Sequence, residues 1–181
     1  MTTWKIDPAH SEIGFKVKHM VISSVPGLFE KFEGTVATER PDFHDARIRF
    51  EADIDSISTG NEQRDGHLKS PDFFDAAKHP KMSFVSTSFT KKGDGEYELI
   101  GDLTIRGNTR RVPLKATYNG TVMGFDGRMA AFEISGKLSR KDFGLLWNAL
   151  TETGGVVVGD DVKLDIIVEL KEAPVEVTVA A

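Results

Sequence analysis

Residues 161–171 read Asp161-Val162-Lys163-Leu164-Asp165-Ile166-Ile167-Val168-Glu169-Leu170-Lys171. The even positions are Val162, Leu164, Ile166, Val168 and Leu170, and Lys163, Asp165, Glu169 and Lys171 stand between them. Successive side chains of a strand point to opposite faces, so a period of two makes one face apolar and the other solvated. This stretch is a long strand with a core on one side and water on the other.

The same period recurs along the chain. Inner sets are Ile13, Phe15, Val17 and His19 within 11–20, and Ala46, Ile48, Phe50, Ala52 and Ile54 within 46–55. Residues 97–105 set Tyr97, Leu99, Gly101, Leu103 and Ile105 on one face, and the segment from 110 to 123 starts with Val112, Leu114, Ala116 and Tyr118. Phe132, Ile134, Gly136 and Leu138 alternate within 128–139. Segments 29–39 and 81–91 alternate less cleanly, through Phe32, Gly34 and Val36 and through Met82 and Phe84. The pattern predicts eight long strands and a short one at Trp4-Lys5-Ile6. Gly93-Asp94-Gly95 and Gly124-Phe125-Asp126-Gly127 are hairpin loops, and Pro41-Asp42 is a turn. Links this short exclude parallel crossovers.

Two segments break the period. Residues 60–75 are the best helix candidate, with Asn61 as cap, Ser70-Pro71 as stop, and a further short turn carrying Phe73 and Phe74. Residues 141–159 are a long connection, apolar for a loop, which predicts packing over something. Strands of ten residues are about 33 Å long, long for a sandwich, and closure removes exposed edges. The expected fold is therefore all-β: an eight-stranded extended antiparallel β-barrel with one or two short helices at 61–75. A barrel of eight strands is either filled or holds one small ligand. Gly34, Ala52, Gly101, Ala116 and Gly136 sit in the inner sets, where small residues either leave room or mark bends. The pattern leaves both open.

Composition narrows the function. The 181 residues suit one domain, 1–172, with a tail at 173–181. A net charge of −5 argues against a nucleic-acid partner. There is no cysteine, so no disulfide or thiolate chemistry. No apolar run is long enough for a transmembrane helix. His10, His19, His44, His67 and His79 lack metal-ligand spacing, and no Gly-x-Ser-x-Gly elbow is present. No metal, no cofactor and no catalytic residue are expected. The start Met1-Thr2-Thr3-Trp4-Lys5 has no apolar signal region, so the expected location is cytoplasmic. The tail alternates like a strand and could pair in a homodimer.

Several short motifs in order carry a resemblance. They are Trp4-Lys5-Ile6-Asp7-Pro8-Ala9-His10-Ser11, Gly14-Phe15, His19, Val25-Pro26-Gly27-Leu28-Phe29 and Phe32-Glu33-Gly34. Ser56-Ile57-Ser58-Thr59-Gly60 precedes Arg64-Asp65-Gly66-His67-Leu68 and Pro71-Asp72-Phe73-Phe74-Asp75. His79-Pro80-Lys81-Met82-Ser83-Phe84, Gly101-Asp102-Leu103-Thr104-Ile105-Arg106-Gly107, Arg140-Lys141-Asp142-Phe143-Gly144 and Val158-Gly159-Asp160 complete the series. In this order the chain resembles the YceI-like family of lipocalin-like, polyisoprenoid-binding barrels over about residues 3 to 171. The resemblance implies a non-enzymatic carrier or store for a long-chain hydrophobic ligand, a polyprenyl chain, an isoprenoid quinone or a related amphiphile. An enzyme or stress-related factor acting on such a lipid is the alternative. Many relatives are periplasmic.

A tail of this kind needs a dry apolar tunnel. Its expected lining is Phe15, Val17, Phe32 and Phe50, then Phe84, Leu99 and Leu103, then Leu114, Phe132 and Ile134. Phe73, Phe74, Leu145, Leu146 and Trp147 are expected to cover one end, with Met20, Val21 and Ile22 on the rim. His19, Arg64, Asp65, His67 and Arg140 are the polar candidates at the mouth. Arginine suits a phosphate, and histidine suits an alcohol or amide. Structural pairing and loop capping are the competing roles for Arg64, Asp65, Arg140 and Asp142.

Overall fold

The computed structural model describes residues 1–175. Strands β1 (Thr2–Ile6) and β2 (Glu12–His19) are two halves of a first long stave, broken by a 3-10 turn at Pro8–His10. β3 (Ser23–Phe29) and β4 (Phe32–Thr38) make the second, and β5 (Arg47–Asp53) with β6 (Ile57–Ser58) the third. The rest are unbroken: β7 (Lys81–Gly93), β8 (Glu96–Ile105), β9 (Asn108–Gly124), β10 (Gly127–Ser139) and β11 (Val158–Glu172). Each stave pairs antiparallel with the next. β11 closes the circle on both halves of the first stave, with Ile6 opposite Leu170 and Phe15 opposite Leu164. The result is a closed eight-stranded antiparallel barrel.

The structure adds one strand and accounts for two other features of the pattern. Residues 23–29 form a strand, although Ser23-Ser24-Val25-Pro26-Gly27-Leu28-Phe29 has no polar alternation and its Pro and Gly argue against one. The weak alternation of 81–91 has a cause in a bulge between Ser86 and Ser88. The extra residue switches the inward parity from Met82 and Phe84 to Phe89. One helix forms, α1 (Glu62–Lys69), with the Asn61 side chain accepting from Arg64 N at 2.9 Å. The expected short turn with Phe73 and Phe74 follows at 71–74. The expected tail 173–181 lies outside the described residues from 176 onward.

One end of the barrel is closed by rings. Phe43 lies 5.2 Å from Trp4, 5.6 Å from Tyr118 and 5.1 Å from Phe132, centroid to centroid. Phe89 stacks on Tyr97 at 4.6 Å. Phe43 is brought there by the 39–46 loop, whose hydrogen bonds include Tyr97 Oη to the Asp42 carbonyl. At the opposite end lie α1, the 144–157 loop and the β2–β3 hairpin tip.

The break in the first stave is pinned by charge. The buried Asp7 carboxylate accepts from His10 Nδ1 at 2.7 Å and from Lys171 Nζ at 2.9 Å, and Ala9 N donates to it at 3.1 Å. These donors hold its carboxyl down at about 2. The same contact raises His10 above the ordinary histidine value. Because the folded pKa of Asp7 is depressed, its contribution is present above the usual carboxylate range and is lost as pH falls toward 2. The His10 contribution runs the other way, complete below the ordinary histidine value and lost as pH rises through its raised one. Asp7→Asn is expected to cost about 1–3 kcal/mol of stability at pH 5–6. Thermal melts should show the gap from the native chain narrowing below about pH 3 as the native carboxylate protonates.

Candidate functional site

The walls enclose a cavity of about 680 Å³, which reaches from the aromatic plug to the α1 end. Apolar side chains line its length. An apolar cavity of about 150 Å³ holds one benzene. On that scale this one holds roughly 27 carbon atoms, about five isoprene units.

The inner glycines explain why this space survives. A Cβ on Gly27 would stand 2.4 Å from Phe15 Cζ, and one on Gly101 would stand 2.3 Å from Phe84 Cζ. Phe15 is paired with Gly27 across β2 and β3. The tip of each ring therefore rests against a glycine of the wall, in space that a Cβ would fill. The two readings of these small residues merge: the glycine itself leaves no hole, but the ring it receives is withdrawn from the centre.

Of the expected lining, Phe15, Val17, Phe50, Phe73, Phe74, Phe84, Leu99, Leu103, Leu114, Phe132, Ile134 and Trp147 face the cavity. Phe32 and Met20 do not. Phe32 is half-buried where the chain passes from β3 to β4, and packs at 6.2 Å on the Phe50 ring. Met20 sits at the hairpin tip at φ +50 and is exposed, because the strand ends at His19 and the turn redirects the chain. Leu145 is buried, but Leu146 points outward. The sequence reading missed Val25 and Phe29, which come from the unexpected β3, and Phe89, whose parity the bulge switches. Phe43 was hidden in a turn, where its positive φ of 60° gave no apolar period to read.

At the mouth, His67 ties one wall to the lid. Its Nε2 is 2.8 Å from Asp72 Oδ2, and its ring stands edge-on to Phe73 at 5.1 Å and to Trp147 at 4.7 Å. Arg64 donates to Thr59 through Nε at 2.7 Å and Nη2 at 2.6 Å. Asp65 does not face the cavity: Thr59 N donates to its carboxylate at 2.9 Å, so it holds the loop before α1. Lys18, His19, Arg64, His67 and Arg140 contribute to the lining, whereas no carboxylate does among the described residues.

Arg140 organises the lid. It donates to four carbonyls: Gly159 at 2.8 Å, Leu145 at 2.6 Å, Trp147 at 2.9 Å and Val158 at 3.3 Å. Burial lowers its pKa, and Asp160 at 3.6 Å opposes that. A fork of donors is what lets one side chain gather so many backbone oxygens. These bonds set Leu145 and Trp147 over the cavity. Asp142 takes no comparable part, lying exposed in the 3-10 turn Arg140–Phe143.

Asp7, His10 and Glu169 also bring three ligand-type atoms together. The Lys171 ammonium already contacts the Asp7 carboxylate at 2.9 Å. It is an ion-pair cluster remote from the mouth.

The YceI-like domain family matches residues 4–170. This chain belongs to that family. It is 36% identical to the UPF0312 protein SAS2572 of Staphylococcus aureus (strain MSSA476), covering 93% of this chain and 97% of that relative. The crystal structure of the Campylobacter jejuni YCEI protein matches with a TM-score of 0.74 at 33% identity, over 93% of this YceI-like chain and 96% of the other. A polyisoprenoid binding domain from Saccharophagus degradans shares the fold at a TM-score of 0.67 and 13% identity, over 94% and 98% of the two chains.

Two variants test the geometry. Gly27→Ala should push the Phe15 ring into the lumen, since that ring is all its Cβ meets at close range. A crystal structure should show the cavity narrowed at Phe15, with stability lowered by about 1–3 kcal/mol. Arg140→Gln should leave several lid carbonyls unpaired, costing about 2–4 kcal/mol. Hydrogen exchange should rise across 145–158 before it rises in β8 and β9.

Proposed function

We propose that this YceI-like chain is a non-enzymatic carrier or store for a long-chain hydrophobic ligand of the isoprenoid class, held lengthwise in the barrel. The observation that carries this reading is the cavity of about 680 Å³ with largely apolar walls and Lys18, His19, Arg64 and His67 at its mouth. The same architecture in S. degradans is described as polyisoprenoid binding, which supports the class of ligand.

The energetics are sufficient. Each buried methylene contributes about 0.8 kcal/mol, so an isoprene unit contributes up to roughly 3–4 kcal/mol. Three or four units offset the cost of association and leave ordinary affinity. A branched tail has no directional groups, so walls without polar atoms select it by width and length alone. The head group then sits among Lys18, His19, Arg64 and His67. With cations and no carboxylate in the lining, an anionic or neutral head is favoured over a cationic one.

Native mass spectrometry and solvent extraction of gently purified protein should recover a bound lipid. In titrations with polyprenols of graded length, affinity should climb steeply and level off near about five units, where the cavity is filled. Ligand-free protein that takes up no added polyprenol at any length would overturn the proposal.

A further inference from the structure

The cavity opens inside a collar of exposed aliphatic side chains. Val21 is 68% exposed, Ile22 88%, Leu146 62% and Leu150 75%. They come from two segments that touch: Met20 N donates to the Val157 carbonyl at 2.9 Å, and His19 pairs with Val158. These segments are almost uncharged. Residues 20–25 carry no charged side chain, and 144–157 carry only Glu152. The hairpin tip also breaks its own turn chemistry. Met20 and Val21 have φ of 50° and 69°, a backbone that favours Asn and Gly and is adverse for a β-branched residue. Exposure and strain thus fall on the same two side chains.

Cations flank the collar. Lys18 lies beside the tip, and Lys16 stands opposite Lys163 on the outer wall, with Lys137, paired with Asp161 at 3.4 Å, on the other side of Lys163. Like charges in register are unfavourable within a sheet. Lys16, Lys18 and Lys163 have no ion-pair partner among the described residues. Unpaired Lys16, Lys18 and Lys163 thus lie toward the mouth, where Asp160 and Asp161 are already paired with Arg140, Lys141 and Lys137; the far end also exposes Val122, Met123 and Phe125.

We infer that this collar docks on the surface of a lipid bilayer containing anionic lipids, seating the mouth where a hydrophobic ligand can pass between membrane and cavity. Aliphatic side chains enter the interface and lysines meet anionic head groups, the two contributions that interfacial binding combines. The inference extends the carrier reading and rests on it for the purpose of docking, though docking itself is measured separately.

The test is flotation of the full chain with vesicles of phosphatidylcholine alone and with phosphatidylglycerol mixed in. Binding is expected on the mixed vesicles and to weaken with salt. Ile22→Asp with Leu150→Asp should lower it roughly tenfold or more. Lys16→Glu with Lys163→Glu should lower it on the mixed vesicles only. Phe125→Asp, at a fully exposed site on the far end, should leave it unchanged. Met20→Asn with Val21→Gly should reduce vesicle binding while the melting temperature holds or rises, because the new residues suit the turn. Uptake of a soluble fluorescent fatty acid without vesicles reports the cavity alone, and collar variants should keep it. Probe uptake with no flotation on mixed vesicles overturns docking and spares the carrier reading. Flotation without uptake of either the probe or any polyprenol does the reverse. Flotation indifferent to the collar substitutions, or a dimer that the same substitutions dissociate, also overturns docking.

Discussion

The structure depends on rings that lie along the wall. An eight-stranded barrel has just enough interior for its own side chains, so a lumen exists only if some of them are withdrawn. Phe15 over Gly27 and Phe84 over Gly101 achieve this. The ring keeps its buried area, now against backbone, and the centre stays open. Where the rings instead meet each other, at Phe43, Trp4, Tyr118 and Phe132, the barrel is solid. Tunnel and plug are built from the same residue types, and Phe15, which meets Gly27 across the strand, also packs on Phe29 at 5.7 Å.

The open end needs a different solution, because the segments there have irregular backbones. The 144–158 connection runs over apolar side chains, where unpaired carbonyls are costly. Arg140 meets that cost with one side chain, collecting the carbonyls of Leu145, Trp147, Val158 and Gly159. Its charge is balanced by a single contact to Asp160. The guanidinium is thus committed to the lid, and the loop-capping role set against head-group binding in the sequence is the one the geometry supports. Asp65 follows the same logic at Thr59.

Where strands are regular, the inner face was legible. Tyr97, Leu99, Leu103 and Ile105 follow strict alternation, and all are buried. Legibility failed where the period is interrupted. One extra residue near Thr87 reverses parity, so Phe89 could not be assigned from Phe84. Val25 and Phe29 escaped because their strand contains Pro26 and Gly27, which read as a loop; the partner ring of Phe15 that makes Gly27 useful lies in another strand. Phe32 shares the parity of Gly34 and Val36, but it is the first residue of β4, and its ring packs on Phe50 and stays out of the lining. Arg140 could be picked as polar and central, but its four carbonyl partners become adjacent only when the lid folds back.

Taken together, the two ends divide the work by chemistry. The plug end pairs buried rings with hydroxyl bonds from Tyr97 and Tyr118, an arrangement with little freedom to open. The mouth end rests on hydrogen bonds to loop carbonyls, a strained hairpin turn and aliphatic side chains turned to water. Local stability follows buried contact and satisfied backbone, so opening is expected at the mouth and not at the plug. On the proposed carrier reading, a long apolar ligand would thread with its tail toward Phe43 and its head toward His67 and the lid. That polarity follows from where the barrel can yield, independently of the ligand's identity.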